Sequence, residues 1–431
     1  MIRTIFLLLF IIFAGTTLGQ QISLDSAISI AIRNSPGLMI AKNNMDIASV
    51  NNSYGMAGGL PLVQGTTNVT QQMTSLEQRY SNPLNNKSST NAPSNNINAG
   101  IAATFPFFQG GKIQNEKLRL DVVEEQVKQQ YNSRAQTLIY NVMLKYYDVV
   151  RQQEYAKTLD ASIRASKQRL EIVRQQQAVG LANDADLFQS QVDLNTQLQS
   201  LTAQQLVIDQ AKTDLLTLMI LNPDSTIQVK DTIIVNKTIL FDSLLSAAYR
   251  NPDIQAAYDQ ILINQHLEKE VGALRYPSAS LGLGYNFSRT TNPQGFNQLN
   301  QAYGPYVGLG LTIPIFNGGI YKRQQQVAGI NVETAKLQKD TLMLGVHSTA
   351  VKNWQAYLNN LHQMETARQN FELSQKLLNL VLMRFQLKVA TIVEVTLAQQ
   401  SFESAGFQLV NVSYAAKAAE IQLRRLANQL P

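Results

Sequence analysis

Few side chains in this sequence are equipped for chemistry. There is no cysteine, and the three histidines, His266, His347 and His362, are too far apart in sequence to pair at metal-ligand spacing. Thiolate catalysis, disulfides, Cys-ligated zinc, iron–sulfur centres and a lipidated Cys anchor are therefore excluded. No G-x-S-x-G or H-E-x-x-H pattern occurs, so no catalytic residue, metal ligand or cofactor is expected. What remains are acids in turn-like segments. Asn183 and Thr391 stand three residues before Asp186 and Glu394, the spacing of a helix capping box. Asp184 adjoins the first pair, and Lys388 lies six residues before Glu394. A helix N-terminus favours negative charge, so these acids read as caps. They also read as a ring: repeated around a symmetry axis at the narrow end of a tube, such carboxylates favour cations. The two roles are compatible.

The elements that place these acids come in duplicate. Pro106-Phe107-Phe108-Gln109-Gly110-Gly111 recurs 208 residues later as Pro314-Ile315-Phe316-Asn317-Gly318-Gly319, and the segment at Asp186 matches that at Glu394 with the same offset. Asn34-Ser35-Pro36 is echoed by Arg250-Asn251-Pro252. Self-similarity of this kind sets the fold. It divides the chain into a first repeat over 20–220, a linker over 221–240 and a second repeat over 241–431.

Each repeat opens with a helix-like segment, 23–56 and 241–275, after which the hydrophobic period changes from 3.6 to 2. Strands are expected at about 60–74, 96–108, 278–290 and 302–315, each with one apolar and one small or polar face. That is the signature of an outer-membrane strand with a lipid face and a lumen face; a half-buried soluble hairpin has the same alternation. Residues 77–96, rich in Asn, Ser and Pro, read as an exposed loop, as do 290–301. The glycine pairs Gly110-Gly111 and Gly318-Gly319, preceded by Pro106 and Pro314, end the strands and bend the chain into helices. Residues 112–177 contain neither Pro nor Gly, enough for roughly 100 Å of helix. Return helices follow at 184–221 and 392–429, making coiled-coil hairpins over 112–220 and 319–429.

The chain has 431 residues, 45% hydrophobic and 15% charged, which excludes wholesale disorder. Its net charge of +6 is scattered, so nucleic acid is not an expected partner. Arg3 followed by the apolar run 5–14 and small residues to Gly19 reads as a signal peptide over 1–19, with a buried N-terminal helix as the other reading. A secreted chain without cysteine fits a bacterial periplasm or outer membrane. Four membrane strands cannot close a barrel alone, and open edges are not tolerated in lipid. Three chains would give twelve strands and an open lumen; two would give eight, which side chains fill. A homotrimer in contact with outer-membrane lipid is the expectation. The fold class is thus mixed: a membrane β-barrel shared between chains and a long α-helical coiled-coil barrel.

In their order, and twice over, these motifs resemble the TolC-like outer-membrane efflux channels. The resemblance rests on P-[FI]-F-[QN]-G-G in both halves, on Val179-Gly180-Leu181 through Asp186, and on Thr391-Ile392-Val393-Glu394-Val395. It implies a trimeric twelve-stranded barrel in the outer membrane with an α-helical periplasmic tunnel, a passive duct that docks to a periplasmic adaptor and an inner-membrane pump. It also implies that the hairpin turns, with Asp184, Asp186, Lys388 and Glu394, form the periplasmic entrance. The family's second-half turn carries G-T-R where this chain has Lys388, Val389 and Ala390, and its second aspartate is Leu397 here, so the family's closed-state salt bridges do not carry over. The alternative function is a periplasm-spanning coiled-coil tether or adhesin; a secreted hydrolase has no residues to support it.

Overall fold

A computed structural model describes residues 20–293 and 297–431; the segment 1–19, read above as a signal peptide, lies outside the described residues. In chain order the elements are β1 (Gln20–Gln21), α1 (Leu24–Asn34), α2 (Pro36–Asn51), β2 (Leu62–Gln78), β3 (Lys87–Phe108), α3 (Lys112–Ala178), α4 (Asp184–Leu218), β4 (Ile227–Gln228), α5 (Phe241–Ala248), α6 (Pro252–Ala273), β5 (Ser278–Thr291), β6 (Leu299–Thr312), α7 (Ile320–Gln386) and α8 (Ile392–Leu426). Each opening helical segment is thus two helices, divided where Pro36 and Pro252 deny the preceding turn its hydrogen bond. The long helices α3 and α7 are each 67 residues, and α4 and α8 are each 35.

The chain forms two compact units, and each draws on both sequence repeats. The first comprises residues 43–128 and 256–340. It holds an antiparallel sheet in the order β2-β3-β5-β6, so β2 and β6 are its edges. The register aligns side chains into rows across all four strands. Val63, Ala103, Leu283 and Val307 form one row, and Gly65, Ile101, Tyr285 and Pro305 the next on the same face. The opposite face carries Gln64, Ala102, Gly284 and Tyr306, then Thr66, Gly100, Asn286 and Gly304. Alternation in each strand therefore becomes one apolar and one small-polar face of the whole sheet. Gly284 is required here, because a Cβ would lie 2.6 Å from both the Tyr306 ring and the Ile101 carbonyl oxygen.

The sheet departs from the sequence expectation at two places. Residues 77–96 are mostly strand, with β2 running to Gln78, a 3₁₀ turn at Pro83–Asn85 and β3 starting at Lys87. Backbone pairing continues there whatever the side chains are, and Asn91, at φ 54, lies where the register shifts between Thr74 and Leu76. Pro93 is tolerated because β5 pairs only as far as Asn95, leaving one side of β3 without a ladder partner. In the second half the strand stops at Thr312 rather than 315, because its partner β5 begins at Ser278 opposite Thr312 and Pro314 has no N–H to offer.

The helical parts of this unit repeat the strand order. Asn52, just after α2, donates to Asp121 of α3 at 2.9 Å, and Arg119 of α3 pairs with Glu270 of α6 at 2.6 Å. Asn264 of α6 donates to the Asn331 carbonyl of α7 at 3.1 Å, above a contact of Ile261 with Val332 and Ala335. The layer thus runs α2-α3-α6-α7.

The second unit comprises residues 20–42, 129–255 and 341–431. Its core gathers α1, α3 and α4 around Tyr146, Leu215 and Met219, and the 221–240 segment is packed into it rather than left as a tether. The parallel bridge of β1 to β4, the Tyr146 hydroxyl donated to both the Ile22 carbonyl and Asp231, and the Asn236 N–H donated to Glu420 at 3.1 Å fix that segment. Tyr357 donates to the Asn236 carbonyl.

Both glycine pairs adopt left-handed backbone: φ is 61° and 89° at Gly110 and Gly111, and 66° and 76° at Gly318 and Gly319. Only at Gly110 is space also closed, a Cβ there meeting Tyr276 Cβ at 2.6 Å and the Ala273 carbonyl at 2.9 Å; at Gly318 nothing lies within 4 Å. Gly318→Ala should cost about 1–2 kcal/mol of left-handed strain. Gly110→Ala adds a backbone clash, so folded yield and thermal midpoint in detergent should fall markedly further for it than for Gly318→Ala. Equal losses would show that conformation alone decides both bends.

Candidate functional site

The two hairpin turns lie in the second unit and are built alike. In the first, the Leu181 N–H donates to the Gln176 carbonyl at 2.7 Å and the Gly180 N–H to Gln177 at 2.9 Å, with Gly180 at φ 73. In the second, Val389 donates to Arg384 at 2.8 Å and Lys388 to Phe385 at 3.1 Å, with Lys388 at φ 62. Both are Schellman ends, in which a left-handed residue lets the last carbonyls be satisfied. Glycine meets this demand in one half; in the other a lysine bears the strain and uses its side chain. The Lys388 ammonium donates to the Leu181 carbonyl, so one turn is tied to the other. No acid takes Lys388 within the chain among the described residues; a main-chain oxygen does.

The candidate acids stand at the N-termini of α4 and α8, and both capping boxes are complete. Asp186 N–H donates to Asn183 Oδ1 at 2.8 Å, and the Asn183 N–H returns to Asp186 Oδ2 at 3.4 Å. Glu394 Oε2 accepts the Thr391 N–H at 2.6 Å and the Thr391 hydroxyl at 3.0 Å. Asp184 accepts from Gln177 at 2.6 Å across the turn. The Thr391 backbone N–H first, and its hydroxyl second, hold the Glu394 carboxyl below the usual carboxylate range. The structure therefore brings Lys388 to the first turn and gives each acid a local partner.

A buried ionic group near these turns had no signal in the sequence, where Arg169 is one of many polar residues in a long helix. It is 0% exposed. Its guanidinium donates to Asp193 of α4 at 2.7 Å and to the Thr396 hydroxyl of α8 at 2.8 Å, while Nε has no hydrogen-bond partner. Burial works against its charge, and Asp193 opposes that effect. Further along the same contact, Gln399 donates to Ser162 at 2.6 Å and Ser166 at 2.8 Å, and Ser162 donates to Glu403. A polar seam thus joins α3 of the first hairpin to α8 of the second, beside an apolar cluster that includes Ile172, Phe385, Val395 and Phe402. Its only sequence trace is the spacing of Thr158, Ser162, Ser166 and Arg169 along one helical face.

Among the described residues, no three His, Asp or Glu side chains gather to hold a metal, and no helix is long and apolar enough to cross a membrane. The sheet, with its apolar face, is the membrane-compatible element.

Duplicated strand pairs and paired helical hairpins define a class of outer-membrane channel. The model of the outer membrane efflux protein family matches residues 27–219 and 244–429, and the chain belongs to that family. It is 24% identical over 352 residues to outer membrane protein TolC of Vibrio cholerae, across 78% of this chain and 77% of that protein. Its fold superposes on Vibrio cholerae VceC with a TM-score of 0.77 at 17% identity, covering 94% of this chain and 96% of that one. For the Campylobacter jejuni CmeC outer membrane channel the TM-score is 0.75 at 16% identity, covering 94% and 85%. The chain is a bacterial outer-membrane efflux channel protein, with its helices in the periplasm.

Two measurements probe the site. Truncating Arg169 to Ala leaves Asp193 with Gln189 as its only remaining donor and opens a cavity, and should cost about 3–5 kcal/mol in thermal unfolding; Arg169→Met, which refills the space, should cost less. The folded-state pKa of Glu394 lies below its unfolded value, so the cap's contribution is present above the unfolded carboxylate range and is lost as pH falls below that range through the folded value. Amide exchange over 388–394 should accelerate on that acidification, and Glu394→Gln should abolish the dependence.

Proposed function

We propose that the chain is one third of a passive export duct, the outer-membrane part of a tripartite system in which a periplasmic adaptor links it to an energised inner-membrane pump. The observation that carries this reading is the four-stranded sheet with an apolar face and two unpaired edges. In hydrocarbon each unpaired backbone group costs several kcal/mol, so β2 and β6 must find partners. Successive strands are antiparallel, so β6 of one copy runs opposite to β2 of the next, and copies join head to tail without a break in pattern. Three copies give twelve strands and a lumen; two give a filled barrel. A tether or adhesin would leave the same edges open in lipid.

The sheet's small-polar face would line that lumen. From Leu62 to Thr74 on β2 and along its partners it carries Gln, Asn, Thr, Ser, Gly and Ala with Leu62 and Tyr306, and no Asp, Glu, Lys or Arg. A charge-free lining discriminates ions weakly, so charge selection falls to the hairpin turns, which we assign to the periplasmic entrance. There Asp184, Asp186 and Glu394 would recur with threefold symmetry, Asp186 and Glu394 held by their caps and Asp184 by Gln177, and Lys388 pins the two turns together.

Purified protein should migrate as a heat-labile trimer in mild detergent and conduct as single channels in a planar bilayer. A folded, monodisperse monomer without conductance would refute the duct. In the same bilayers, Asp186→Asn with Glu394→Gln should reduce cation selectivity and block by multivalent cations. An unchanged reversal potential in a salt gradient would leave these acids as caps alone. Cysteine at Asn86 should label in intact cells with an impermeant thiol reagent and cysteine at Ala182 should not.

A further inference from the structure

The part of the sheet where all four strands pair holds a single charged side chain. Residues 62–71 of β2, 95–108 of β3, and the whole of β5 and β6 contain no Asp, Glu or Lys, and their one Arg is Arg289. It stands on the apolar face. The register puts it in a row with Ile97 and Gln301, one step beyond Phe287 and Tyr303 on that face. On a lipid-facing surface a cation is costly at the bilayer midplane and nearly free at the rim. The strand gives its height. The apolar face of β5 begins at Ala279, ten residues before Arg289. At ~3.3 Å per residue and a tilt of about 40°, that stretch rises roughly 25 Å, the height of the apolar band of an outer-membrane barrel. Arg289 therefore sits at the rim, at the level of the lipid headgroups. Phe287 and Tyr303, 68% exposed, form an aromatic step just beneath it.

We propose that Arg289 binds the phosphate of a lipid in the outer leaflet, at the rim where β5 turns to β6. The occupant follows from charge. Arg289 is exposed, and no strand around it carries a carboxylate. The hydrocarbon below offers a guanidinium nothing, so an anion at headgroup level is the group that completes it. Its neighbours on the same face are donors. Gln301 stands directly opposite on β6, Thr291 and Asn95 face each other one step outward, and Tyr303 lies one step inward. Side chains directly opposite have Cβ atoms about 5 Å apart and diagonal ones about 7–8 Å, so these groups reach one common anion. A guanidinium fork takes two phosphate oxygens in parallel, and amide and hydroxyl groups take the others. The acyl chains of the same lipid would lie along Phe287, Leu283 and Val307. A free phosphate has the oxygens without the chains, and the apolar rows directly beneath Arg289 favour the lipid.

The site rests on the duct reading for its place in the outer leaflet. It is built from β3, β5 and β6 of one chain, so it can be scored whatever the number of chains. Purified protein in mild detergent is titrated with bisphosphorylated lipid A and followed by native mass spectrometry. One lipid should be retained per chain, and Arg289→Gln should lower retention about tenfold, the effect of losing one charge-assisted pair. Lipid A stripped of both phosphates should be retained by the unaltered chain no better than by the variant. Equal retention of bisphosphorylated lipid A by Arg289→Gln would overturn the site. Equal retention of the phosphorylated and stripped lipids by the unaltered chain would do the same, and that comparison decides even where the variant fails to fold. Inorganic phosphate at the same concentration should not displace lipid A; displacement would make a free anion the ligand and overturn the lipid as occupant. A monomer by native mass would refute the duct and leave the phosphate comparison intact. A trimer indifferent to the phosphates would refute the site and leave the duct standing.

Discussion

Backbone hydrogen bonding in lipid constrains this molecule more than any side chain does. A β-strand exposes a row of N–H and C=O groups at each edge, and hydrocarbon offers them nothing. The sheet satisfies β5 and most of β3 internally and leaves one edge each of β2 and β6 for something outside the chain. A purely hydrophobic drive would accept any apolar neighbour. An edge accepts only a strand of the right direction and register, which makes the assembly we propose specific as well as necessary. Helices have no such need, because each satisfies its own backbone. The helical part is therefore free to use thin apolar stripes and polar seams, and it does: the α3–α8 contact sets Ser, Thr, Gln and Arg beside an apolar cluster of Ile172, Val173, Val395 and Phe402.

The residues that convert one kind of element into the other are chosen by space as well as angle. Four glycines hold left-handed backbone at the strand-to-helix bends, yet only Gly110 is also walled in, by Tyr276 and the Ala273 carbonyl. Within the sheet, Gly284 lets the Tyr306 ring lie across the backbone, and Gly100 does the same for Asn286. These small residues bring the polar face close to the main chain. At the hairpin turn the logic is reversed: Lys388 occupies a left-handed position that Gly180 fills without strain, and its ammonium gains the Leu181 carbonyl that no glycine could reach.

Most of the element plan could be read from the residues because it depends on local periodicity. The hairpins begin and end within three residues of the expected positions, since Asn183 and Thr391 announce their caps and the Gly-Gly pairs announce the bends. The errors occur where partners decide. Residues 87–95 look like a loop by composition, but they are strand because β2 pairs with them. Ile313 and Ile315 look like strand, but β5 offers nothing opposite them. The candidate acids were visible from spacing alone. Arg169 was not, because burial of a charge depends on three helices meeting around it, and no short-range pattern encodes that meeting.

Duplication followed by divergence explains why the two halves are not interchangeable. An exact repeat would present the same face inside the chain and outside it, and a monomer could satisfy its own helices with the wrong partner. Here the two faces have drifted apart in chemistry. The internal seam keeps Arg169, Thr396 and Glu403, groups that are costly to bury unless each finds its mate. The corresponding outer positions hold Leu377, Phe188 and Asn195, which tolerate both water and contact. A buried charge fixes a register because only one arrangement satisfies it, while apolar and amide groups accept a range of approaches. The seam that must form once, during folding, thus carries the charged groups.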